Sequence, residues 1–134
     1  MPIPLYSIQD LFISKGDEDK LTIKQFDIHR GACYVFEGRM GSGKTTLLDI
    51  ISGLLYDFNG KIIIDGQPIN RDDVRRSWQR AVAHVPQSIF LVDATIGENI
   101  AFGVSHDQID FDRVRKAAQQ ARIAEFIESR PEAY

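Results

Sequence analysis

The chain has 134 residues, 43% of them hydrophobic and 26% charged, with a net charge of −3 and one cysteine. That length gives one domain or a piece of one, with enough apolar material for a core. There is no basic block, and the run Arg71-Asp72-Asp73-Val74-Arg75-Arg76 mixes signs like a solvated helix face, which argues against nucleic acid as the main ligand. No apolar stretch reaches the length of a membrane span, Met1-Pro2-Ile3-Pro4-Leu5 does not read as a secretory leader, and a lone Cys33 makes no internal disulfide, so a cytosolic chain is expected.

Residues 5–13 mix apolar and polar types and predict a strand whose phase is undefined. Lys15–Lys20 is a polar turn. Leu21, Ile23, Phe26 and Ile28 predict a second strand whose alternation slips by one near Lys24-Gln25, as at a bulge. Arg30-Gly31 then turns the chain into Cys33-Tyr34-Val35-Phe36. This short apolar run is expected as a buried parallel strand, with Cys33 as a small core residue.

Gly38-Arg39-Met40-Gly41-Ser42-Gly43-Lys44-Thr45-Thr46 follows, with the spacing of a phosphate-binding loop: Gly, four residues, then Gly-Lys-Thr. Glycines allow successive main-chain N–H groups to turn inward, forming a concave ring of donors suited to polyphosphate oxygens. Lys44 brings a point charge to the terminal phosphates and Thr45 a hydroxyl to Mg²⁺. Leu47, Ile50, Ile51, Leu54 and Leu55 recur at helical spacing, so the loop opens a helix whose positive end faces the phosphates.

Beyond Gly60, Lys61-Ile62-Ile63-Ile64 is a short strand and Asp65-Gly66 reverses it. An apolar run ending in Asp65 looks superficially like the metal-holding Walker B strand of P-loop enzymes. Gly66 follows in place of a second acid, so the hairpin reading is preferred. Asp72–Trp78 predicts a short helix, Ala81–Val85 a strand ended by Pro86, Thr95–Phe102 a short helix, and Asp110–Glu128 one helix or two in tandem, stopped at Arg130-Pro131. His29, His84 and His106 are scattered without metal-ligand spacing.

Taken together, the loop, Gly60–Gly66, Val85-Pro86-Gln87 and the run from Phe90-Leu91 through Thr95-Ile96-Gly97-Glu98-Asn99-Ile100-Ala101-Phe102-Gly103 resemble the first part of the nucleotide-binding cassette of ABC transporters, of the exporter type. The helices up to Pro131-Glu132-Ala133-Tyr134 resemble those leading to that family's signature sequence. The resemblance implies an α/β P-loop NTPase fold, a RecA-like core with an antiparallel β subdomain, incomplete at its C-terminus. Residues 1–86 would be the β subdomain and P-loop core, and 87–134 the Q-loop and the start of a helical subdomain.

The resemblance also implies ATP and Mg²⁺ as ligands. Gly38, Arg39, Met40, Gly41, Ser42, Gly43, Lys44, Thr45, Thr46 and Gln87 would hold the nucleotide, and Thr45 and Gln87 the metal. The implied partners are a transmembrane domain and a second cassette in a head-to-tail dimer, at the inner face of the membrane. Residues 88–103 would help form the groove for the membrane domain's coupling helix, with Phe90 and Leu91 either lining it or closing a local core. Family members stack adenine on an aromatic residue. Here Lys15 takes that position, and Phe12 and Tyr6 are the nearby aromatics.

The signature sequence, Walker B strand, catalytic glutamate and switch histidine do not occur in these 134 residues. Hydrolysis requires a group that positions the attacking water. The expectation is therefore a chain that binds Mg·ATP but does not by itself turn it over, and that is unstable until a partner segment completes its sheet. Two other readings remain: a non-hydrolysing nucleotide- or partner-binding module, and a soluble P-loop ATPase unconnected with transport.

Overall fold

The computed structural model describes residues 2–15 and 18–134, and for 15 and 18–20 the backbone alone. Two compact units are present, Met1–Val85 and Pro86–Tyr134. In the first, strands β1 (Tyr6–Lys15), β2 (Glu18–Ile28), β3 (Asn59–Ile64) and β4 (Gln67–Pro68) form an antiparallel sheet in the order β2-β1-β3-β4. The turn expected over residues 15–20 includes Gly16 and Asp17, which lie outside the described residues.

The undefined phase of β1 has a structural cause. Tyr6 and Ile8 are buried, then Leu11 and Ile13, so the inward set changes parity at Asp10. Asp10 has φ 46°, in the left-handed region. Across the ladder Gln9 faces Gln25 and Leu11 faces Ile23, and neither Asp10 nor Lys24 is paired. The slip expected in β2 is thus the mirror of a slip in β1, and the β1–β2 register is the same on both sides of it. The β1–β3 register does shift, between Gln9 and Phe12. Gly60 sits at that shift with φ 112°, and a Cβ there would lie 2.5 Å from the Asp10 carbonyl oxygen.

Helix α1 (Lys44–Ile51) lays Leu47 and Ile50 onto the inner face of the sheet, against Tyr6, Ile8, Leu11, Ile62 and Ile64. Burying side chains of this size contributes roughly 1.5–3 kcal/mol each. Helix α2 (Asp72–Ala81) adds Val74 and Trp78 to the margin of that core. Asp65-Gly66 forms the turn between β3 and β4, with φ 47° and 76°, and Asp65 pairs with Arg30 at 2.6 Å. The hairpin reading of this segment holds.

Two expected strands are absent. Residues 32–39 join no ladder, and only one face of the run is covered. Phe36 and Tyr34 pack edge-on against Phe26, with centroids 5.5 and 5.8 Å away, while Val35 and Cys33 are exposed. Cys33 is therefore not a core residue. Ala81 ends α2, and Val82–Val85 runs on without a partner, with Val85 and His84 exposed. An apolar, extended sequence becomes a strand only when a neighbour satisfies its main chain, and no described residue lines up with either segment.

The second unit holds α3 (Ile96–Ile100), a 3₁₀ turn at His106–Gln108, α4 (Phe111–Gln120) and α5 (Ala124–Glu128). The tandem alternative for 110–128 is the observed one. Asp110 caps α4 by accepting from the N–H groups of Asp112 and Arg113, and the chain leaves α4 through Arg122 at φ 59°. Val114, Ala118 and Ile127 form its buried apolar set.

Candidate functional site

The loop between Phe36 and α1 is built by its glycines. Gly41 and Gly43 have φ 80° and 91°, and Gly43 is the left-handed N-cap of α1. The space beside Gly41 is open, with no atom within 4 Å of where a Cβ would stand. The Ser42 N–H donates to the Arg39 carbonyl at 3.1 Å, which tightens the turn and leaves Met40 fully exposed at its tip. The first main-chain bond of α1 runs from the Leu47 N–H to the Gly43 carbonyl at 2.9 Å. The N–H groups of residues 44–46 consequently have no acceptor within the helix. No acidic residue occupies the first turn to compete for that positive end.

Lys44 folds back over this turn. Its ammonium donates to the carbonyls of Gly38 at 2.6 Å and Arg39 at 2.7 Å, and to the Ser42 hydroxyl at 3.3 Å. Thr45 is exposed beside it. The structure thus brings Gly38, Arg39, Met40, Gly41, Ser42, Gly43, Lys44, Thr45 and Thr46 into one loop and helix end. Gln87 belongs to the other unit, where it is exposed.

The opposite end of α1 is tied to the sheet and to α2. The Tyr6 hydroxyl donates to the Ile50 carbonyl at 3.1 Å, the Trp78 indole N–H to the Ile51 carbonyl at 2.7 Å, and the Gln79 amide to the Gly53 carbonyl at 2.7 Å. Burial pushes the Tyr6 phenol well above its ordinary pKa.

In the second unit Ile89, Phe90, Leu91 and Phe102 are all exposed, so Phe90 and Leu91 do not close a local core there. The segment behind them is fixed by Thr95-Ile96-Gly97-Glu98-Asn99. Thr95 and Glu98 form a reciprocal capping box at α3, and Asn99 bonds the main chain of Val92, Ala94 and Thr95.

The sequence model of the "ABC transporter" family matches residues 21–134. The chain belongs to that family. It is 36% identical over 117 residues to the ATP-dependent lipid A-core flippase of Idiomarina loihiensis, a match over 87% of this chain and 20% of the flippase. It is 32% identical to human ATP-binding cassette sub-family B member 5 over 93% of this chain and 9% of that protein. A bacterial Atm1-family ABC exporter with ATP bound superposes with a TM-score of 0.85 at 32% identity, over 98% of this chain and 23% of that one. The chain thus spans about a fifth or less of the curated relatives it matches.

Within this ABC family member, one candidate for the adenine platform is removed. Tyr6 is wholly buried and its hydroxyl is spent on α1. The side chain of Lys15 lies outside the described residues. The three residues that hold the far end of α1 went unrecognised in the sequence. Their partners are 44, 27 and 26 positions away, beyond any local pattern.

Proposed function

We propose that this chain is the ATP-binding part of an exporter-type ABC transporter. It would hold Mg·ATP through Gly38–Thr46 and Gln87, so that nucleotide binding and hydrolysis in the assembled transporter drive export. One observation carries the reading: left-handed Gly41 and Gly43 shape a loop that opens an eight-residue helix whose first amides have no acceptor in it, with the Lys44 ammonium folded over the same turn.

A triphosphate tail would accept from the amides of residues 43–46 and draw Lys44 from the Gly38 and Arg39 carbonyls onto phosphate oxygens. Thr45 would give the metal a neutral oxygen. Among the described residues no cluster of three His, Cys, Asp or Glu side chains stands ready for a metal. That donor set suits Mg²⁺, which takes few protein ligands and fills its octahedron with phosphate and water oxygens. Gln87 would report on the metal side of the nucleotide from the second unit.

Exposed Ile89, Phe90, Leu91 and Phe102 support a docking surface for the membrane domain. Among the described residues no helix is long and apolar enough to cross a bilayer. Residues 1–86 would serve as the β subdomain and P-loop core, and 87–134 as the entry to the helical subdomain. A second cassette would complete the site head to tail, on the cytoplasmic face.

Calorimetric titration of ATP with Mg²⁺ into the wild type and Lys44→Ala tests the reading. Loss of the ammonium is expected to weaken binding at least about tenfold, in line with a charge-assisted bond to phosphate. Equal affinity overturns it. Thr45→Ala is expected to lose the gain in affinity that Mg²⁺ brings, while retaining metal-free binding.

A further inference from the structure

An eight-residue helix is too short to hold its own shape, since isolated helices below about 12–15 residues are marginal in water. In α1 four of those eight residues, Thr45, Thr46, Ile50 and Ile51, are β-branched and lower its propensity further. The order of its phosphate-facing end must therefore come from elsewhere. The opposite end is held by three donors from two places in the sequence: Tyr6 of β1 on Ile50, Trp78 of α2 on Ile51, and Gln79 of α2 on Gly53, two residues past the helix.

These bonds are mutually braced. The Tyr6 and Trp78 rings lie 5.4 Å apart, and a Cβ on Gly53 would meet Gln79 Cγ at 3.3 Å and Trp78 Cδ1 at 3.5 Å. Gly53 itself, at φ 74°, turns the chain out of the helix and donates back to the Ile50 carbonyl at 2.9 Å. A helix end leaves its last carbonyls to side chains, tightened turns or water. Here the Ile50 and Ile51 carbonyls are taken by side chains, and Gln79 holds the Gly53 carbonyl two residues past the end of α1.

We infer that Trp78 and Gln79 are positioning residues for nucleotide binding: by gripping the last carbonyl of α1 and the Gly53 turn just beyond it they keep its first turn folded, and so keep the amides of residues 44–46 aligned. Tyr6 braces them from the sheet. The inference rests on the proposed ATP site and adds residues far from the phosphates to its machinery. Loss of one grip lets the last turn of α1 open part of the time, and apparent affinity falls by the fraction of molecules with a competent first turn.

The test compares Gln79→Met, which keeps length but removes the donor, Gln79→Lys, which restores a donor, and Trp78→Phe, which keeps a ring against Tyr6 but removes the N–H. Two quantities are read well below the unfolding midpoint: the Kd for Mg·ATP, and the amide exchange rate of Leu47, whose N–H closes the first turn on the Gly43 carbonyl, relative to Ile62. Gln79→Met and Trp78→Phe are expected to raise Kd about fivefold and to accelerate exchange at Leu47 selectively, while Gln79→Lys returns both to within about twofold of wild type. An unchanged Kd in both donor-lacking variants, or equal acceleration at Ile62, or no recovery in Gln79→Lys, overturns the inference. If the wild type binds no ATP, the functional reading fails. The exchange comparison then still decides whether the grip orders the first turn, and unchanged exchange at Leu47 overturns the inference there too.

Discussion

Asn99 and Val92 are joined as two residues of a β-ladder would be: the Val92 N–H donates to Asn99 Oδ1 at 2.9 Å, and Asn99 Nδ2 donates to the Val92 carbonyl at 3.1 Å. The same Nδ2 reaches the Ala94 and Thr95 carbonyls at 3.3 and 3.0 Å. One side chain thereby replaces a missing strand for the segment that carries Ile89, Phe90 and Leu91. Asn99→Ala is expected to destabilise the second unit by about 1–3 kcal/mol, because main-chain groups are left without partners. Asn99→Asp is expected to be worse, since a carboxylate would face three carbonyl oxygens. Denaturant unfolding of the variants, followed by helical ellipticity, measures both.

Gly60 is pressed against the backbone of β1. With φ 112° and the Asp10 carbonyl 2.5 Å from any Cβ, it tolerates no side chain. Gly60→Ala is expected to cost more than about 2 kcal/mol, from strain and from displacing the Asp10 kink. A midpoint within error of wild type in urea would contradict this.

Arg122 occupies a left-handed position at φ 59° where α4 ends, and the Ile123 N–H returns to the Ala118 carbonyl at 3.0 Å. Glycine takes that conformation without a Cβ penalty. Arg122→Gly is expected to stabilise the second unit by about 0.5–1 kcal/mol, less than the full left-handed penalty because glycine also loosens the unfolded chain. Thermal unfolding should show a higher midpoint.

Glu98 carries the pH dependence of α3. Its carboxylate accepts from the Thr95 N–H at 2.8 Å and meets His106 Nδ1 at 3.1 Å, and these bonds, the Thr95 main chain first, hold its pKa below the ordinary 4.5. A depressed folded pKa means the cap contributes fully above the unfolded value and is lost as pH falls through the folded one. The Thr95 amide resonance is expected to stay constant down to about the ordinary glutamate range and to move below it. In Glu98→Gln that acid-side movement should disappear.

Cys33, on the bare side of its run, is expected to react with a disulfide reagent in native buffer at close to the rate in denaturant. A thiol that reacts only on unfolding would place it in a core.

The geometry of the loop from Gly38 to Thr46 was legible because its left-handed positions demand particular residue types at fixed spacing, and the same holds for the Asp65-Gly66 turn. The strands at 33–36 and 81–85 were misread because hydrophobic pattern reports burial preference, whereas a ladder needs a neighbour. Even so, the alternation within 33–36 was written in the residues, with Tyr34 and Phe36 inward and Cys33 and Val35 outward. Thr95 and Glu98 carried a capping-box spacing that was absorbed into the family resemblance and not read for its local physics. The phase of β1 and the grip on α1 were hidden for another reason. Each depends on residues brought together only by folding: Asp10, Lys24 and Gly60 in one case, Tyr6, Trp78 and Gln79 in the other.

The skip at Asp10 is a property of the sheet and not of one strand. A chain lacking only Asp10 would have a first strand whose apolar residues alternate without interruption, yet its neighbour would still step sideways at Lys24, turning Phe26 and Ile28 away from Ile8 and Tyr6. Removing both residues together would bring the two strands back into agreement and leave Gly60 guarding a crowding that no longer exists. Insertions and deletions at this bend should therefore be inherited in matched sets, and the glycine should be free to vary only in relatives whose first two strands run straight.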